Sequence, residues 1–264
     1  MSEPALHVKS PQDQPGAMYI EFDNPPMNQF TTELWNSLTA ALRKARLDDS
    51  VRVVILSGSG ERAFSAGLSM DMLDNLKCDE DSALIYTLGF EVREAIYALG
   101  KPVIAAVKGH CVGGGLEIAL CCDLIYASEN AKFMLPEMNI GLVPGCGGAI
   151  HLAQKIPFNR AFEMILFGDR LTAQEALQLG LVNKVFAKDE FDASLKDIVH
   201  KILSKPPIAV RALKELMAHA NVSVNETAAL QIERRLAVDL MKTQDFKEAV
   251  AAFREKRTPT FIGK

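Results

Sequence analysis

The sequence has no apolar run near the roughly 18–20 residues that a membrane-spanning helix needs. It also has no excess of charge of either sign, because 29 lysines and arginines nearly balance 33 aspartates and glutamates, for a formal net charge of −4. Proteins that bind nucleic acid or an anionic membrane usually carry a strong basic patch. We therefore expect neither nucleic acid nor a membrane among the partners of this chain.

Cysteine is scarce, with five thiols and no C-x-x-C spacing. An odd number without that spacing fits neither a disulfide framework nor a zinc site, so we expect core-filling thiols and no bound metal. The first residues, MSEPALHVKSPQDQPGAM, carry an early acid and prolines in place of the basic and apolar segments of a signal peptide. These features together predict a protein of the reducing cytoplasm.

The residues that are present are typical of a globular protein. The chain has 264 residues, of which 48% are hydrophobic and 23% charged, so it can bury a sizeable core. Hydrophobic periodicity predicts strands at 18–22, 51–58, 103–109, 123–128 and 131–135, and helices at 32–45 and 82–99. This alternation of strands and helices predicts an α/β class.

Beyond its middle, the chain is predicted to be almost wholly helical. TAQE (172–175) and SVNE (223–226) both have the pattern of a capping box, in which side chains satisfy the first N–H groups of a helix. Between them, SKPP (204–207) is typical of a hinge. We therefore predict a core of residues 1–204 and a helical C-terminal region of residues 205–264.

The stretch GHCVGGGLEIALCCDLIYA (109–127) places one carboxylate, Glu117, among apolar residues. An ionised carboxylate is costly to desolvate unless something pairs with it, so this position indicates a role. The three consecutive glycines match neither the dinucleotide-binding nor the P-loop pattern. They predict a bare strand-to-helix turn whose unpaired N–H groups favour an oxyanion.

A second carboxylate, Glu137, lies in LPEMNIGLVPGCGG (135–148), again beside a glycine-rich turn. Two short predicted strands separate it from Glu117, so the chain can double back and bring both carboxyls to one site. Two carboxyls in one dry pocket can be driven to different pKa values and then supply an acid and a base together. For either residue alone, a capped or salt-bridged structural acid is the alternative.

The string AFSAGLSM (63–70) contains the pattern A-x-S-x-G, a variant of the nucleophile elbow of serine hydrolases, with Ser65 as nucleophile and a histidine as base. An elbow serine opens a helix directly after its strand. Here SGERA separates the predicted strand from Ser65. The sequence therefore favours a turn hydroxyl at Ser65 over a serine hydrolase.

In combination these strings resemble the crotonase superfamily, which comprises enoyl-CoA hydratases and isomerases. The resemblance covers nearly the whole chain, through NPPMNQF, FSAGLSM, KPVIAAVKGHCVGGGLEIALCCDLIYA, LPEMNIGLVPGCGG and LTAQEALQLGLVNKV. It implies a spiral of β-β-α units followed by a helical region that forms trimers or hexamers. Residues 1–204 would then hold the acyl-CoA site, and residues 205–264 would mediate oligomerisation.

The resemblance also implies the roles of individual residues. The N–H groups of Leu68 and Gly114 would hold the thioester oxygen, and Glu117 and Glu137 would act on water and the substrate carbon. Substrate-binding positions implied in the same motifs are Ala66, Met70 and Gly145. The implied reaction adds water across the 2,3-double bond of a trans-2-enoyl-CoA to give a 3-hydroxyacyl-CoA. Coenzyme A is part of the substrate, and no other cofactor is expected.

Two positions depart from the family pattern. Ser69 stands where many relatives have aspartate, and His151 stands where arginine is usual, so the acyl and CoA contacts stay open. The same scaffold serves enoyl-CoA isomerisation and acyl-CoA hydrolysis, and a non-catalytic acyl-CoA-binding protein is a further alternative. The presence of both glutamates favours hydration.

The predicted C-terminal helices, one from SVNE and one near 245–253, carry an apolar stripe. Its members are Leu230, Leu236, Val238 and Leu240. A stripe of this kind needs a surface to pack against. Folding back on the chain's own core is one possibility, and the resemblance favours a trimer interface instead. In such an assembly Lys256 would reach a neighbour's CoA.

Overall fold

The computed structural model describes residues 3–74, 78–222 and 226–264. Its strands are β1 Ala5–Lys9, β2 Ala17–Asp23, β3 Val53–Gly58, β4 Ala63–Ser65, β5 Val103–Val107, β6 His110–Val112, β7 Leu124–Ser128, β8 Lys132–Met134, β9 Leu171–Thr172 and β10 Lys184–Phe186. Its helices are α1 Thr32–Leu47, α2 Met70–Asp74, α3 Asp79–Tyr97, α4 Gly114–Cys121, α5 Gly148–Lys155, α6 Phe158–Phe167, α7 Ala173–Gln178, α8 Phe191–Leu203, α9 Pro207–Val222, α10 Glu226–Leu240 and α11 Gln244–Glu255. A 3-10 helix spans Glu137–Ile140.

The strands form two sheets that the chain visits in turn. One sheet has the order β1-β2-β3-β5-β7-β10 and is parallel except for β1, which pairs antiparallel with β2. The other has the order β4-β6-β8-β9, with β4, β6 and β8 parallel. The pairs β3–β4, β5–β6 and β7–β8 each place one strand in each sheet before a helix follows. This is the predicted spiral of β-β-α units, and the α/β prediction is confirmed.

Local sequence explains why the inner elements form. All five residues of β5 are buried, as expected for a strand in a parallel sheet covered on both faces. In α1, Leu34, Leu38 and Leu42 recur at helical spacing and are at most 1% exposed. The helix begins where Thr31 Oγ1 accepts a hydrogen bond from the Leu34 N–H at 3.3 Å.

Several short strands could not be predicted from the sequence. β4, β6 and β9 contain only three, three and two residues, too few to show an alternating pattern. Residues 110–112, between the predicted strand 103–109 and the predicted glycine turn, therefore form a strand that was not predicted. The longer predicted elements are confirmed with ends shifted by a few residues.

The helical second half is confirmed, including the capping box at the start of α7. There Thr172 accepts from the Glu175 N–H, and the Glu175 carboxylate accepts from the Thr172 N–H. The predicted capping box SVNE lies outside the described residues, because residues 223–225 are not described. The division into residues 1–204 and 205–264 stays a prediction.

Three of the five cysteines are buried. Cys111, Cys121 and Cys122 are free thiols in the core, as the sequence predicted, whereas that prediction is wrong for Cys78, which is exposed, and Cys146 is only partly buried. In the part of the chain that the structure describes, no helix is both long and apolar enough to cross a membrane.

Candidate active site

A cavity of about 400 Å³ opens at the carboxyl ends of three parallel strands. Residues 66–68 follow β4, residues 113–114 follow β6, and Glu137 follows β8. The register of a parallel sheet brings these three strand ends to one edge. The residues lining the cavity include Gln29, Trp35, Ala66, Gly67, Leu68, Ile85, Tyr86, Gly113, Gly114, Glu117, Glu137, Leu142, Val143, Gly145 and Cys146.

The glycine turn between β6 and α4 needs residues without side chains. Gly113 has a φ of +54°, a conformation that L side chains rarely adopt. A Cβ on Gly115 would overlap the Ser65 carbonyl oxygen. The turn therefore brings α4 against β4, and the N-terminus of α4 faces the cavity.

Two backbone N–H groups meet at this turn. A Cβ built on Gly114 would lie 3.9 Å from the Leu68 nitrogen, so the two peptides are adjacent. Within the described chain, neither the Leu68 N–H nor the Gly114 N–H has a hydrogen-bond acceptor in the protein. Two unpaired donors that converge beside a cavity are the arrangement that an oxyanion hole requires.

The Leu68 peptide is held in place by the neighbouring segment. The Phe30 N–H donates to the Gly67 carbonyl at 2.7 Å, and the Ser69 N–H donates to the Phe30 carbonyl at 3.0 Å. The Gln29 side chain donates to the Leu68 carbonyl at 3.3 Å. Gln29 could not be predicted as a site residue from the sequence, because a lone amide in a turn carries no motif.

Glu117 lies in α4 with 5% of its surface exposed. Its Oε1 accepts hydrogen bonds from two backbone N–H groups, those of Cys146 at 2.7 Å and Gly148 at 3.0 Å. Both donors belong to residues 145–148, which we call the carboxylate loop. Burial raises the pKa of Glu117, and the two N–H bonds counter that rise because they stabilise the ionised form.

Glu137 begins the 3-10 helix, and its carboxyl lies near Glu117. Its Oε1 would be 3.2 Å from a Cβ on Gly113, and its Oε2 is buried without a hydrogen-bond partner among the described residues. Burial raises the pKa of Glu137 to about 7, helped by the charge of Glu117 and opposed by a hydrogen bond from the backbone N–H of Glu137 itself. The chain does double back, so both predicted glutamates line one cavity.

The two carboxyls have different surroundings. Glu117 receives two N–H donors, which favour a carboxylate, while the buried Oε2 of Glu137 receives none, which favours a carboxylic acid. A base and an acid can therefore stand in the same cavity near neutral pH. Among the described residues, no cluster of His, Cys, Asp and Glu is arranged to hold a metal ion.

Of the other predicted site residues, two line the cavity. Ala66 and Gly145 line it, and the ring of Tyr86 lies so close to Gly145 that a Cβ there would overlap it. Met70 begins α2, and its side chain lies outside the described part of the chain. Lys256 follows α11 on the surface and belongs to no described site.

Ser65 is a turn hydroxyl, the role that the sequence favoured. It is fully buried, and its Oγ accepts a hydrogen bond from the Gly67 N–H at 3.1 Å. No hydrogen bond joins it to a described histidine, so it lacks the base that a serine nucleophile requires. Ser69, at the departure from the family pattern, accepts from the Met72 N–H at 3.4 Å beside the start of α2.

Comparison with known proteins identifies the family of this chain. The family model for enoyl-CoA hydratase/isomerase matches residues 12–264. A crotonyl-CoA hydratase from Syntrophomonas wolfei is 37% identical over 238 residues, which cover 90% of this chain and 91% of that protein. A carnitinyl-CoA dehydratase from Proteus mirabilis is 35% identical over 248 residues, covering 93% of this chain and 94% of that protein.

Solved structures show the same relationship. An enoyl-CoA hydratase from Bacillus anthracis superposes with a TM-score of 0.94 at 33% identity, over 98% of this chain and 99% of that chain. This chain therefore belongs to the enoyl-CoA hydratase/isomerase family, within the crotonase superfamily.

Proposed function

We propose that this protein hydrates the 2,3-double bond of a trans-2-enoyl-CoA thioester to give a 3-hydroxyacyl-CoA. The observation that carries the proposal is the pairing of two carboxyls in one cavity with two unpaired N–H donors. Family membership supports an acyl-CoA substrate, and the names of the relatives support hydration or dehydration.

Each group has a role in this reaction. The N–H groups of Leu68 and Gly114 stabilise the negative charge that develops on the thioester oxygen, and each such donor contributes on the order of 10²–10³ in rate. Glu117 removes a proton from water as the water oxygen bonds to C3. Glu137 donates its proton to C2, so the atoms of water are added across the double bond.

The protons balance over one turnover. After the reaction Glu117 holds the proton from water and Glu137 is ionised, so proton exchange with solvent restores the starting state. Ala66, Met70 and Gly145 belong to the substrate site in this proposal, and coenzyme A enters only as part of the substrate. No separate cofactor takes part in the mechanism.

We also propose that the enzyme assembles as a homotrimer or a dimer of trimers, in the cytoplasm. Large apolar side chains lie on the surface of α6 and of the C-terminal helices. They include Phe158, Phe162, Leu166, Leu213, Met217, Leu230, Val238 and Phe253. Burial of such side chains between subunits would stabilise an assembly.

The direct test is a set of CoA thioesters followed by the absorbance of the conjugated thioester. Enoyl-CoA esters of short, long and aromatic acyl groups test hydration, and carnitinyl-CoA tests dehydration. Glu117→Gln and Glu137→Gln should each lose most activity while still binding a saturated acyl-CoA. Because the two residues act as a unit, the double variant should be little worse than the poorer single variant. Near-normal turnover by either single variant would remove that glutamate from the mechanism.

A further inference from the structure

The helix α3 packs closely along the carboxylate loop. A Cβ on Gly89 would overlap the Sγ of Cys146, and the ring of Tyr86 fills the space beside Gly145. One turn further along α3, Arg93 reaches His151 in α5, directly after the carboxylate loop. α3 therefore contacts the loop and its continuation at successive turns.

His151 is held by hydrogen bonds on both ring nitrogens. Arg93 Nε donates to His151 Nε2 at 3.3 Å, and the Tyr97 hydroxyl lies 3.3 Å from the same nitrogen. On the other side, Nδ1 lies 3.3 Å from Gln154 Oε1. Because an arginine can only donate, Nε2 must accept and Nδ1 must carry the proton. His151 is thus the neutral tautomer, and only 8% of the residue is exposed.

The imidazole supports the carboxylate loop directly. Gly147 has a φ of +93°, and a Cβ there would lie 2.9 Å from the Nε2 of His151. In addition, the backbone N–H of His151 donates to the Gly147 carbonyl at 2.9 Å, a main-chain bond at the start of α5. Gly147 lies between Cys146 and Gly148, whose N–H groups donate to Glu117.

We propose that His151 is a positioning residue that holds the carboxylate loop so that its two N–H groups aim at Glu117. The inference rests on the proposed function for its effect on turnover. Neutral His151 accepts from Arg93 and packs against Gly147. A proton on Nε2 would face the Arg93 N–H, repel the guanidinium and loosen the packing on Gly147. Glu117 would then lose its alignment with water.

Several charged or titratable groups surround His151 on the three helices that pack there. Arg93 and Tyr97 on α3 and Lys155 on α5 act on His151 itself. Arg93 and Lys155 also act on Cys121 of α4, together with Glu117 and Glu94. Burial lowers the pKa of His151, and the positive charges of Arg93 and Lys155 lower it further, against a hydrogen bond to Gln154 that raises it. The imidazole of His151 should therefore become protonated only at acidic pH, because its pKa lies below the usual value.

Three variants of the full-length protein test the inference. His151→Leu removes the acceptor and leaves the Arg93 N–H unpaired. His151→Gln keeps a neutral side chain that can accept but cannot titrate. His200→Leu is the matched control, since His200 is exposed on α8 and its Nε2 lies 3.3 Å from the Asp13 carbonyl. Thermal unfolding of each variant reports whether the fold persists.

The first readout is amide hydrogen exchange at Cys146 and Gly148, which does not depend on catalysis. We expect faster exchange at both amides in His151→Leu, and rates near wild type in His151→Gln and His200→Leu. Unchanged exchange in His151→Leu would overturn the inference. A change in exchange in a protein that hydrates no enoyl-CoA would support the positioning role while refuting the proposed function.

The second readout is hydration. We expect His151→Leu to lower kcat by about tenfold to a hundredfold with KM within about twofold, and His151→Gln to recover most of the loss. In wild type, kcat should show an acidic step that is absent from the pH profile of His151→Gln, while the glutamate steps persist in both. Superimposable profiles, or equal losses in the Leu and Gln variants, would overturn the inference.

Discussion

Gly148 contacts Glu117 so closely that its N–H donates to Glu117 Oε1 at 3.0 Å, and a Cβ on Gly148 would lie 2.8 Å from the same oxygen. The same added Cβ would lie 2.9 Å from Pro144 Cβ. No side chain larger than hydrogen fits between the helix start and the carboxylate. The position of the carboxylate thus depends on a glycine 31 residues further along the chain.

Gly148→Ala should therefore move Glu117 away from its place in the cavity. The added methyl group would also lie 2.9 Å from Pro144 Cβ, so we expect a lower melting temperature with the fold retained at the temperature of the assay. Misplacement of the base should lower kcat by about a hundredfold. Ile150→Ala is the control, because Ile150 is 64% exposed on the same helix. Equal kcat for the two variants would show that Gly148 does not position Glu117.

The pH dependence of turnover should follow Glu137. Its pKa of about 7 means that the carboxyl is protonated below that pH and ionised above it. In the proposed mechanism hydration needs the protonated form of Glu137, so kcat for hydration should fall as the pH rises through about 7. Dehydration of the 3-hydroxyacyl-CoA needs the ionised form, so its kcat should fall as the pH drops through the same value. Parallel profiles in the two directions would contradict this assignment.

The free energy of unfolding should also depend on the ionisation of Glu137. Its pKa is raised from 4.5 to about 7 in the folded state, so the contribution of the neutral carboxyl is present at acidic pH and is lost as the pH rises through about 7. Glu137→Gln cannot ionise. We expect its free energy of unfolding to exceed that of wild type at a pH well above 7, with a smaller difference below 4.5. Chemical denaturation at both pH values measures this, and a constant difference would disprove it.

In the proposed oxyanion hole, a methyl group at Gly114 should lower turnover strongly, whereas loss of the Leu68 side chain should change turnover little. A Cβ on Gly114 would meet its nearest neighbours, Gly67 Cα at 3.6 Å and Trp35 Cζ2 at 3.7 Å, at ordinary contact distances. Gly114→Ala should therefore fold normally, but its methyl group would lie beside the Leu68 N–H and exclude the thioester oxygen.

We expect Gly114→Ala to lose about 10²–10³ in kcat, whereas Leu68→Ala, which keeps its backbone donor, should have a mild effect. The infrared carbonyl frequency of a bound saturated thioester gives a second measure, since the two donors should lower it in wild type and less in Gly114→Ala. The assignment fails if Leu68→Ala is severe and Gly114→Ala is silent.

The assembly state can be measured directly. One chain weighs 28.9 kDa, and sedimentation at micromolar concentration should give a mass near three or six chains. Leu230→Glu and Val238→Glu, at positions 54% and 46% exposed in the single chain, should shift the mass towards one chain. Leu47→Glu, at an 84% exposed position at the end of α1, should not. A wild-type mass of 28.9 kDa would refute the proposed assembly.

The sequence by itself determined the class of the fold and predicted which two carboxyls share one cavity. Long apolar runs such as β5 and the stripe of α1 are set by local periodicity, so their elements could be predicted. Glu117 was identified because a lone charge in an apolar run needs a partner, and the glycines beside it indicated an oxyanion site. These inferences depend on residues that are neighbours along the chain.

Only the tertiary structure decided which groups meet. The partners of Glu117 are N–H groups of residues 146 and 148, and a backbone donor leaves no trace in residue type. The raised pKa of Glu137 comes from burial and from Glu117, both of which require the folded cavity. Likewise, the hydrogen bond from Arg93 to His151 joins two helices through residues that are 58 positions apart in the sequence. Hydrogen bonds and desolvation act over a few ångströms. The chemistry of the cavity therefore depends on groups that are far apart in the sequence and close together in the folded chain.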